Sequence, residues 1–172
     1  MKRFSIALLF CLGVIATLAA PVFAFDDVTP DDAFTLATSD DNVYILDVRT
    51  PEEWSWVGHP GKNKLDEGAE LEGKVTNISY KIVYKGDKIL NPSFMSDVDD
   101  AFGGIANVVL ITMCRSGSRS AAAAADLEAA GYNVLNMATG FQGGKDDRGY
   151  RTVSGWVNAG LPYSYSGSAY KD

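Results

Sequence analysis

The segment Val108-Val109-Leu110-Ile111-Thr112-Met113 is an unbroken apolar run that ends directly on Cys114. After a short loop, Arg115-Ser116-Gly117, the chain enters an alanine-rich stretch from Ser118 to Ala130 that stops at Gly131. A continuous β-branched and aliphatic run of this length reads as a strand buried on both faces. Alanine favours helix, and a glycine just past the last helical residue is a common stop. A buried strand feeding a helix through a tight loop is half of a βαβ unit. It confines the chain to an α/β fold with a mostly parallel sheet covered by helices on both faces.

The flanking segments repeat the alternation. Thr29-Pro30-Asp31-Asp32 supplies an N-cap, a proline at the first helical position and an acidic first turn, predicting a helix to about Thr38. Val43 to Val48 predicts a second buried strand, and Thr50-Pro51-Glu52-Glu53 a capping box that starts the next helix, stopped by Gly58 and Pro60. Residues 60–74 read as a polar loop, Val75 to Tyr80 as a strand, and Lys81 to Leu90 as ambiguous. A helix is expected from Asn91-Pro92 to Gly103-Gly104, a strand from Tyr132 to Asn136, and a last short helix from Val153 to Ala159. There is no internal repeat and no linker, so the expectation is one domain.

Met1 to Ala24 reads as an export signal. Lys2 and Arg3 precede the apolar stretch Ile6 to Ala20, and Val22-Phe23-Ala24 has the small-residue ending of a cleavage site. Cleavage after Ala24 leaves residues 25–172 as the mature domain, with a core at about 30–163 and a polar tail after Tyr163 that is expected to fray. The expected location is outside the cytoplasm, in the periplasm of a bacterium, with no membrane anchor after cleavage. The formal charge of −7 argues against a nucleic-acid footprint, which needs a clustered basic face. Cys11 leaves with the signal, so Cys114 stands alone in an oxidising compartment. There it is a buried hydrophobe, an intermolecular link or a reactive thiol.

The surroundings of Cys114 favour the reactive thiol. Ligands in α/β sheets bind at the carboxyl ends of strands. The helix that follows presents unpaired N–H groups and partial positive charge, Gly117 lets the loop curl, and Arg115 and Arg119 add fixed charge. Together these favour thiolate over thiol at Cys114. Counting from Cys114, the second arginine closes a Cys-x4-Arg loop, one residue shorter than the Cys-x5-Arg loop with which phosphatases surround a tetrahedral oxyanion.

Cys114-Arg115-Ser116-Gly117-Ser118-Arg119-Ser120 resembles the active-site loop of the rhodanese family of sulfurtransferases. Leu46-Asp47-Val48-Arg49-Thr50-Pro51-Glu52-Glu53-Trp54 resembles the family's first block, and Gly58-His59-Pro60-Gly61 its Gly-His turn. Gly140-Phe141-Gln142-Gly143-Gly144 and Gly155-Trp156 to Pro162 resemble its carboxyl-terminal signature. The four blocks stand in family order. The resemblance implies a single rhodanese-like domain with a five-stranded parallel sheet. It also implies that Cys114 takes a sulfane sulfur from a donor such as thiosulfate and passes it from a persulfide to cyanide or a thiol. Arg115, Ser116, Gly117, Ser118 and Arg119 would form the loop that binds substrate and persulfide. The alternative within the same resemblance is a sulfur-carrier or protein-binding module with little small-molecule turnover, served by a protein donor or acceptor.

Asp47 and Arg49, at a strand's carboxyl end, are expected to brace the active loop from behind. His59 is the single histidine, and turn structure is the role expected of it. One histidine and one mature cysteine make no metal ligand set, and no cofactor is expected. Of Trp54 and Trp56, two residues apart, both cannot share one helix face. Asn77-Ile78-Ser79 matches a glycosylation sequon on an expected strand. Residues 60–76 and 81–104 are longer than the family pattern, and are expected to border the pocket and bear on the choice of donor.

Overall fold

The computed structural model describes residues 25–166. The export signal read in residues 1–24 and the last residues of the tail lie outside them. Five strands form one sheet: β1 (Asp26–Val28), β2 (Val43–Asp47), β3 (Val75–Asn77), β4 (Val109–Met113) and β5 (Asn133–Met137). The spatial order is β1-β5-β4-β2-β3, and every neighbouring pair is parallel. The helices are α1 (Pro30–Ser39), α2 (Pro51–Val57), α3 (Phe94–Phe102) and α4 (Ser118–Ala129). This is the α/β architecture the sequence implied.

Two capping boxes start α1 and α2 as their sequences require. Asp32 N–H donates to Thr29 Oγ1 at 3.1 Å, and Glu53 N–H donates to Thr50 Oγ1 at 3.3 Å. Each helix thereby satisfies one of its otherwise unpaired amides. The central strands β2 and β4 alternate their side chains between two cores. Leu46, Val48 and Leu110 pack with Phe94 and Val98 of α3 and Leu127 of α4. Ile45, Ile111 and Met113 face the other way, onto Ala33 and Ala37 of α1 and onto Phe141 and Trp156. Burial on both faces is what the continuous apolar runs encode.

Four expectations need correction. The fifth strand, β1, was not read from residues: it is three residues long, and its two aspartates are exposed at the sheet edge. Asn136 Nδ2 fastens it by donating to Asp27 Oδ1 at 2.7 Å. Lys81–Tyr84 and Asp87–Leu90, ambiguous in sequence, form an antiparallel hairpin. Its two turn residues, Lys85 (φ 51°) and Gly86 (φ 92°), have the positive φ pair that matches strand twist.

The helix expected at Val153–Ala159 does not form. Arg151–Val153 pairs with Gly144–Lys145, and the rest is a turn. Trp156 N–H donates to Gly140 O at 3.0 Å and Val157 N–H to Phe141 O at 3.0 Å. These amides bond across to another segment, and buried Trp156 anchors the turn. Ser164 opens the tail expected to fray, but Tyr163–Ser164 pairs antiparallel with His59–Pro60.

His59 is structural, as expected. Its ring stacks on Trp54 at 3.7 Å, and its nitrogens lie 2.9 Å from Pro60 O and 2.7 Å from Ser166 O. Trp54 is buried and Trp56 exposed. The Asn77 amide is committed inward, donating to the carbonyls of Asp47 (2.8 Å) and Arg49 (2.9 Å), which argues against the sequon. Among the described residues no helix is long and apolar enough to cross a membrane.

Candidate active site

β4 delivers Cys114 to the carboxyl edge of the sheet, and α4 begins four residues on. The thiol is 1% exposed. Gly117 N–H donates to Cys114 Sγ at 3.2 Å, so the loop curls back until a backbone amide points at sulfur. The Ser120 hydroxyl lies 3.5 Å from Sγ and 2.9 Å from Gly117 O. It holds the curl closed from the first turn of the helix. The first intrahelical bond onto the loop is Ala121 N–H to Gly117 O at 2.9 Å. The amides before it lie at the positive end of the helix dipole, beside the sulfur.

A second wall supports this loop. Phe141 N–H donates to Cys114 O at 2.8 Å and Gln142 N–H to Arg115 O at 2.9 Å. The approach is close enough to demand glycine. Gly117 sits at φ +96°, and a Cβ there would overlap the backbone carbonyl of Ala138. Gly140 sits at φ +64°, and its Cβ would lie 2.5 Å from Cys114 O. The Gly140–Gly144 block thus holds the cysteine loop from the side.

The two arginines have different partners. Arg115 is exposed, and its Nε donates to Gln142 Oε1 at 2.7 Å. Its Nη1 and Nη2 make no hydrogen bond among the described residues, so they remain free to meet an oxyanion. Arg119 makes a two-pronged pair with Glu53 of α2, at 2.6 and 2.7 Å. Burial pushes the Glu53 carboxyl up. The hydrogen bond and charge of Arg119, with the Thr50 backbone, outweigh that and hold it below its ordinary 4.5. The pair therefore persists through neutral pH and is lost only as Glu53 protonates in acid. Ser116 is half-buried and Ser118 is exposed at the helix start.

Asp47 and Arg49 are both fully buried and joined at 2.6 Å. Arg49 also donates to Gly58 O at 2.8 Å and lies 4.4 Å over the Phe141 ring. Since Phe141 N–H holds Cys114 O, the pair reaches the cysteine loop through one intervening residue.

Sequence reasoning missed Glu53 and Gln142 as partners of the arginines. Glu53 was visible as a capping residue, but nothing in the chain signals its second bond across 66 positions. No cluster of metal-ligating residues occurs among the described residues.

A family model described as a rhodanese-like domain matches residues 29–147. An uncharacterised protein of Rickettsia conorii, RC0915, is 33% identical over 134 residues, which is 77% of this chain and 92% of that protein. Among solved structures, Rv0390 from M. tuberculosis is 28% identical with a TM-score of 0.66, covering 83% of this chain and all of that one. A polysulfide-sulfur transferase homodimer from Wolinella succinogenes shares the fold, with a TM-score of 0.52 at 20% identity, covering 81% of this chain and 78% of that one. Family match and fold agree with the loop built around Cys114: the chain belongs to the rhodanese-like domain family.

Proposed function

We propose that this chain is a sulfurtransferase that carries a sulfane sulfur on Cys114. The observation that carries the proposal is the cysteine loop itself. The Cys114 thiol sits at a strand's carboxyl end, accepts a backbone N–H bond on sulfur and faces a helix N-terminus. That setting stabilises negative charge on sulfur before and after transfer.

With thiosulfate as donor, the Cys114 thiolate attacks the outer sulfur. A new S–S bond forms to Cys114, the old S–S bond breaks, and its electron pair leaves with sulfite. The persulfide keeps the negative charge. Cyanide or a thiolate then attacks the outer sulfur of Cys114–S–S⁻, takes it as thiocyanate or a new persulfide, and returns the Cys114 thiolate. Arg115, free at both terminal nitrogens, is suited to the sulfonate oxygens of the donor. Arg119, already engaged by Glu53, braces the loop.

Two half-reactions on one nucleophile require ping-pong kinetics. Initial rates of thiocyanate formation are expected to give parallel double-reciprocal lines as thiosulfate and cyanide are varied. Cys114→Ser is expected to fall to the uncatalysed rate. Intersecting lines, or turnover retained by Cys114→Ser, would contradict the mechanism. Negligible turnover by the folded wild-type protein would favour the sulfur-carrier or binding-module reading instead.

A further inference from the structure

The hairpin Lys81–Leu90 has no role in the chemistry above, yet it leaves the sheet at the same edge as Cys114. β3 is parallel to β2 and β4, and Asn77 and Met113 both lie opposite Asp47. At that level the two chains are on the order of 10 Å apart, two interstrand spacings. Beyond β3 the chain stays attached by Ile78 N–H to Asp47 O (3.0 Å) and Tyr80 N–H to Val48 O (3.2 Å). Tyr80 is buried, its ring edge-on to Phe94 at 5.1 Å and its hydroxyl donating to Asp126 at 2.7 Å. The hairpin therefore has a fixed base.

Its outer part is uncovered, while Lys81 and Ile82 at the base are half-buried. All four residues of the second strand are exposed. Directly paired residues share a face, so Lys81 with Leu90 and Val83 with Lys88 make one surface. Val83 is 63% exposed and Leu90 55%. Neither lysine forms an ion pair among the described residues. Two free cations interleaved with two exposed aliphatic side chains stand out on a chain of net charge −7. At ordinary ionic strength charges act over about 8–10 Å, so this patch is felt locally as basic. The two-residue turn at the tip is Lys85-Gly86, and the pair that closes it, Tyr84 and Asp87, is exposed. Insertion of the tip into a lipid bilayer would bury those charges, which disfavours a membrane as the occupant.

We propose that this face docks an acidic, thiol-bearing protein segment and guides it to the sulfur carried on Cys114. The proposal rests on the persulfide reading and names its acceptor class. The partner's thiolate attacks the outer sulfur of the Cys114 persulfide. The S–S bond to Cys114 breaks with its electrons returning to Cys114, and a persulfide forms on the partner. Glutamates of the partner meet Lys81 and Lys88, and its apolar side chains cover Val83 and Leu90.

The test uses protein loaded with sulfur by thiosulfate and two synthetic acceptors. One is a peptide thiol alternating glutamate and leucine, and the other is its glutamine counterpart. The acidic peptide is expected to remove the sulfur roughly tenfold faster at low salt, and the advantage is expected to shrink as salt is raised. Lys81→Glu with Lys88→Glu is expected to erase the preference while changing the rate with cyanide by less than about twofold. Equal rates for the two peptides, or a preference that survives the double substitution, would overturn the docking face while leaving the persulfide intact. If wild type loses no sulfur even to cyanide, the persulfide reading falls and the docking proposal with it.

Discussion

Replacing Gly117 with alanine is expected to lower the sulfur-transfer rate by about a hundredfold or more, the scale associated with misplacing a reacting group by an ångström. The reason is steric and specific. The added Cβ would occupy the space of the Ala138 carbonyl, a backbone atom that cannot rotate away, at a φ of +96° that side chains rarely adopt. Residues 114–117 must then move away from residues 138–142. The amide that now donates to Cys114 Sγ moves with them. A suitable control is Gly149→Ala. Gly149 has a similar φ of +87°, but nothing lies within 4 Å of its Cβ position. It should cost about 1 kcal/mol in backbone strain and leave the rate intact. Thiocyanate formation and thermal melts of both variants separate the two causes. If Gly117→Ala behaves like Gly149→Ala, the close approach of the two loops does not govern the site.

The largest loss of stability is expected from Arg49→Ala, at about 3–5 kcal/mol. Asp47 is fully buried and accepts from Arg49 through its backbone amide, Nε and Nη2. Removing the guanidinium leaves a carboxylate without its countercharge in the core. It also removes the bond to Gly58 O and the cation over Phe141. Asp47→Ala strands the cation instead. The double variant, which leaves no unpaired charge, should lose less than the two single losses combined. Urea titration of the four proteins measures all the terms. A loss below about 1 kcal/mol for Arg49→Ala would mean that the pair behaves as an exposed one. By comparison, Arg119 and Glu53 are each about a quarter exposed, and solvent screens part of their attraction.

How far the chain reveals its structure depends on how local each determinant is. β4, the loop at Cys114 and α4 are specified by adjacent residues, and they fold as those residues indicate. The same holds for α1 and α2, each started by a capping box that spans only four consecutive positions. β1 fails this condition. Asp26-Asp27-Val28 has no strand pattern of its own and becomes a strand only because β5, more than a hundred residues away, accepts it. The turn at Gly155–Gly160 fails for the opposite reason. Its short periodic pattern reads as helix, but the amides of Trp156 and Val157 are taken by Gly140 and Phe141. Within the site, Cys114 and its loop are legible because one short stretch supplies strand end, glycine, charges and helix start. The division of labour between Arg115 and Arg119 is not. It is set by Gln142 and Glu53, which reach the loop from two other segments.

The central claim is that Cys114 carries the sulfur. Intact mass of the reduced, folded protein before and after thiosulfate, alongside Cys114→Ser, tests it most directly. The account predicts a gain of one sulfur atom in the wild-type protein, reversed by cyanide and absent in Cys114→Ser. No gain in the wild-type protein, or an equal gain in the variant, would contradict it.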